Sequence, residues 1–77
     1  MNRARRKELQ SLLDQIEEIK EALEILKEQE EGYRDNIPEN LHGSALYEAA
    51  NEAVDDLGFA VEGLESAVSY IEAAIGE

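Results

Sequence analysis

An all-α fold, an antiparallel two-helix hairpin, is predicted by three observations on the sequence. Apolar residues recur at steps of three and four through residues 9–33 and at steps of seven through residues 46–75, and no alternating stretch appears between them. The only Pro and the only His fall together between these two stretches, with a Gly and two Asn, which marks one connection. Apolar residues make up 43% of the chain against a single Pro and five Gly, too apolar for a disordered acidic tail and too uninterrupted for anything but long helices. At 77 residues the chain is a single domain, 1–77, with little room for a large core.

The first helix is expected over about 2–35. Asn2 is a good N-cap, and Leu9, Ile16, Leu23 and Glu30 fall at position a of a heptad with Leu12, Ile19, Leu26 and Tyr33 at d. That pattern reads as a coiled-coil seam on a and d. Gly32 or Asn36 can end the helix, and Pro38 opposes its continuation. Residues 36–43 are the loop. Ser44 caps a second helix expected over about 44–75, in which Ala50, Leu57, Leu64 and Ile71 repeat at a, flanked by the Ala53, Ala60, Ala67 column at d and the Val54, Val61, Val68, Ile75 column at e. Three apolar columns span about 100° of helix surface, more than one partner helix covers.

A short loop makes the helices antiparallel neighbours, and its midpoint places Leu26 near Ala53, Ile19 near Ala60 and Leu12 near Ala67. Large residues then meet small ones across the seam. On this reading Val54, Val61, Val68 and Ile75, with Leu13 and Ile25 off the first seam, lack cover and form the candidate interface. A two-fold dimer of hairpins, a four-helix bundle, is the arrangement that covers them.

Function classes are narrowed by what the residues can do. Without Cys there is no disulfide framework, thiolate zinc site or thiol nucleophile. Glu39 and His42 have the Glu-x-x-His spacing of carboxylate-bridged metal sites, but they follow Pro38 in the loop and no second His exists to complete a set. No metal or other cofactor is expected. Glu30 sits at an a position, where pairing with Arg34 one turn on is the ordinary role. With no phosphate-binding Gly-rich motif and no Ser-His-Asp set, the chain is not expected to be an enzyme, and no catalytic or cofactor-binding residue is assigned.

Charge narrows the partners. The net charge is −12, from nineteen acidic and seven basic residues, and four of the basic ones are Arg3, Arg5, Arg6 and Lys7. No aromatic residue interleaves with them and the rest of the chain repels phosphate, so direct nucleic-acid binding is not expected. In the antiparallel register Arg5 and Lys7 fall beside Glu72 and Glu77, at the negative end of the second helix dipole. The opening residues lack the apolar run of a signal peptide and no stretch is long enough to span a bilayer, so a cytoplasmic location with no membrane partner is expected. These features favour a non-enzymatic protein–protein interaction or assembly module that homodimerises. The alternative is an acidic decoy or regulator, whose spaced carboxylates would occupy a basic, nucleic-acid-handling protein.

The opening Arg5-Arg6-Lys7-Glu8-Leu9, the loop Asn36-Ile37-Pro38-Glu39-Asn40-Leu41 followed by Gly43-Ser44, and the Glu-Ala-rich second helix together resemble small uncharacterised acidic helical-hairpin proteins of Gram-positive bacteria and their phages. The resemblance spans the whole chain, and the Pro-Glu-Asn-Leu loop is its most specific part. It implies a helical hairpin and carries no activity or functional residue with it.

Overall fold

The computed structural model describes residues 1–76, in which two long helices, α1 (Arg3–Asp35) and α2 (Ala45–Gly76), pack side by side. A single 3₁₀ turn, Glu39–Leu41, joins them. The hairpin is a rod of 59 × 15 × 13 Å, as two helices of about 50 Å must be at a rise of 1.5 Å per residue. Both N-termini are capped as the sequence predicts. Asn2 Oδ1 accepts a hydrogen bond from the Arg5 N–H at 2.7 Å, and Ser44 Oγ accepts one from the Tyr47 N–H at 3.3 Å.

The loop is held by local bonds and one buried side chain. Asn36 is the C-cap of α1, and the next N–H, that of Ile37, donates to the Arg34 carbonyl at 3.1 Å while the Ile37 side chain is buried. Leu41 N–H donates to the Pro38 carbonyl at 2.8 Å, closing the 3₁₀ turn. The His42 ring is exposed but not loose. It stacks on Tyr47 with centroids 4.4 Å apart, and its Nε2 lies 3.1 Å from the Ile37 carbonyl, so this nitrogen carries the proton.

Contacts between the helices advance by seven residues along each, in opposite directions: Arg34 Nη1 bonds Asn51 Oδ1 at 3.0 Å, the Lys27 stem lies against Gly58, and Lys20 Nζ reaches Glu65 at 3.9 Å. The pairing is antiparallel as expected, but its register is displaced: Lys27 lies level with Gly58, whereas the midpoint of the loop sets Leu26 beside Ala53. The seam itself differs from the expected one. On α1 it runs along a and e: Leu13 is buried, and Leu9, Ile16, Lys20, Leu23, Lys27, Glu30 and Arg34 are half-buried. Leu12, Ile19, Leu26 and Tyr33 at d are exposed, as is Ala60, so the large-to-small pairs Leu12/Ala67, Ile19/Ala60 and Leu26/Ala53 do not form the inner seam.

The candidate interface is corrected accordingly. Leu13, Val54 and Val61 are buried inside the hairpin, Val68 and Ile75 are half-buried along its seam, and only Ile25 of that set is exposed. The physical reason lies in the basic side chains at e. Lys20, Lys27 and Arg34 are half-buried along the seam, with the Lys27 stem against Gly58 beside Val54 and Val61, while their charged heads reach carboxylates at the water-facing edge. Arg34 pairs with Asp35 at 3.1 Å and with Asn51, not with Glu30. The ion pairs of α2 likewise lie away from the basic opening, and the expected placement of Lys7 beside Glu77 lies outside the described residues.

Candidate interaction face

Where the uncovered apolar surface lies follows from helix geometry. At 100° per residue, position d stands about 80° round the helix from the midline of a and e, with g beyond it on the same side and c on the back of the helix. Two antiparallel helices wind in opposite senses when viewed down the rod, so their d columns fall on one flank of the hairpin and their b and f columns on the other. The two flanks differ in chemistry.

On the d flank, α1 presents Leu12, Ile19, Leu26 and Tyr33, with Ile25 on its back, each about half exposed. Between residues 19 and 33 the c, d and g columns of α1 contain no charged residue. α2 supplies Leu46, Ala53, Ala60, Ala67 and Ala74 beside them, with Gly63 at g, where an added Cβ would meet nothing within 4 Å. Tyr70, at g, stands at the outer edge of this flank and is 78% exposed, whereas Phe59, 67% exposed, stands on the back of α2 and lines the groove side with Lys27, Asp55 and Glu62. Both are large apolar side chains standing in water.

The b and f flank is polar. An open groove of about 450 Å³ runs along it, with Lys27 among Glu24, Glu28, Glu31, Glu62 and Glu65 and with Gly58 and Val61 at its floor. Lys20 lies 3.5 Å from Glu17, and Lys27 lies 3.3 Å from Glu31. Most acidic residues of the chain project to this side, which keeps it solvated.

Area gives a measure of how incomplete the single hairpin is. Its accessible surface is 5644 Å², whereas a compact chain of 8.6 kDa exposes roughly 4,700 Å². The surplus of roughly 900 Å² matches what one partner contributes to an interface of standard size, about 800 Å².

Among the described residues no group of three or more His, Cys, Asp or Glu side chains is placed to hold a metal ion, and Glu39 and His42 sit in the 3₁₀ turn at the end of the rod. No described helix is long and apolar enough to cross a membrane. Compared with family models, curated proteins and solved structures, the chain gives no match. The heptad pattern led to the e column as the uncovered one because it counted only apolar residues. Two signals for the d flank were nevertheless in the sequence: cations at e in three successive heptads, and the absence of charge from the c and g columns of α1 between residues 19 and 33.

Proposed function

We propose that this chain is a non-enzymatic protein–protein interaction and assembly module, working in the cytoplasm as a homodimeric four-helix bundle. The observation that carries the reading is the d flank, an apolar strip on which Leu12, Ile19, Leu26, Tyr33, Leu46 and Ala60 are exposed and Ala53, Ala67 and Ala74 only half-buried. A two-fold partner with the same strip satisfies it without any further component, since an isologous interface needs only a self-complementary surface. The acidic-decoy reading draws on the opposite flank, but Lys20 and Lys27 interrupt the carboxylate array there.

Light scattering on a sizing column tests the proposal. At micromolar concentration the expected mass is about twice 8.6 kDa. A particle of one chain at high concentration would reject it.

A further inference from the structure

The apolar flank is divided lengthwise. α1 contributes its large residues, Leu12, Ile19 and Leu26, and α2 its small ones, Ala53, Ala60 and Ala67. Two hairpins joined face to face by a two-fold axis have two ways to lie. An axis along the rod sets α1 of each over α2 of the other, with the loops at one end. An axis across the rod sets α1 on α1 and α2 on α2, with the loops at opposite ends. Helix separations range over about 8–10 Å according to the side chains between them. Like on like would therefore need a wide pair and a narrow pair within one rigid face, whereas large on small gives both pairs the same spacing.

We infer, building on the assembly reading above, that the two copies lie with their loops at the same end. Each α1 rests on the partner's α2, and because an axis along the rod keeps every residue at its own height, Leu12, Ile19 and Leu26 of one chain meet Ala74, Ala67 and Ala60 of the other. The outer edge of the flank agrees with this arrangement. Tyr70, at g and the most exposed aromatic side chain of the hairpin, comes to the level of Gln15 in the g column of the other chain and gains a neighbour there. Packing rather than charge sets the choice, because Arg5, Glu8, Glu18, Glu52 and Asp56 are the only ionised residues in the c, d and g columns of residues 4–76.

A spin-label distance decides between the two arrangements. The chain has no Cys, so Asn40→Cys, in the exposed 3₁₀ turn, carries a single nitroxide per chain. With loops together the two labels stand about 20–30 Å apart, one helix layer plus the label arms. With loops opposed they approach the 59 Å length of the rod. Light scattering on the same labelled sample separates the two possible failures. A dimer with the long distance overturns the pairing geometry and leaves the assembly reading standing. A single-chain mass overturns the assembly reading and this inference with it. Arg3→Cys, labelled at the opposite end of the rod, must give the same short distance, and a long one there overturns the geometry equally.

Discussion

The two flanks of the seam are built on the same helices at similar angles from the helix contact, yet one is charged and grooved and the other apolar and flat. On the charged flank each long side chain does two jobs: the Lys20 and Lys27 stems cover the e columns of the seam, and their ammonium groups, beside Glu17, Glu65 and Glu31, remain in water. On the apolar flank the column beside the seam is Leu12, Ile19, Leu26 and Tyr33, and these side chains stay half exposed. The difference teaches that an amphipathic helix in a two-helix rod has to resolve two boundaries, one toward its hairpin partner and one beside it. Lysine can close the first boundary while leucine leaves the second open.

The effect expected to be largest removes the seam that both flanks share. Leu13 is buried at its narrow end, and Leu13→Ala should cost about 2–5 kcal/mol in a denaturant melt by leaving a cavity between the helices. A cost below about 1 kcal/mol would show that α1 does not pack on a and e.

The flanks themselves are compared by a matched pair. Ile19→Glu places a charge in the middle of the apolar flank and should weaken association by about 2 kcal/mol or more, read as a loss of dimer mass in sedimentation. Glu24→Ala on the polar flank should leave both mass and melting point unchanged. If the two variants behave alike, the flanks are equivalent and the contrast between them has no consequence for assembly.

Ala60 sharpens the contrast further, since it is exposed in the single hairpin and central on the apolar flank. Ala60→Leu is expected to weaken the dimer by about 1–3 kcal/mol through overpacking against Leu26 of the other chain. Dilution series by fluorescence anisotropy measure it. An unchanged dissociation constant would remove Ala60 from the interface.

The smallest effect concerns the stem of Lys20. Lys20→Met keeps the aliphatic cover and deletes only partly exposed ion pairs, so its melt should stay within about 0.5 kcal/mol of the parent chain. A larger loss would mean that charge, not the stem, closes the seam at this level.

Both helices, their caps at Asn2 and Ser44, the turn at Pro38 and the antiparallel pairing were legible in the sequence, because each rests on interactions within a few residues: a side-chain oxygen at a helix start, a missing N–H, a short loop. The set Leu13, Ile25, Val54, Val61, Val68 and Ile75 was legible as apolar but not as buried or open. Its fate depends on which face of α1 turns toward α2.

By itself the sequence determined that the chain forms two long helices joined once, with far more apolar surface than one helix pair needs. Only the tertiary structure decided which columns meet. Hydrophobic periodicity ranks columns by side-chain type, and on that ranking Leu12, Ile19 and Leu26 outrank Lys20 and Lys27. The packed hairpin ranks them by what the opposite helix needs at the same level, and the valines of α2 are covered by lysine stems whose heads can leave the seam, which leaves the leucine column free on the outside.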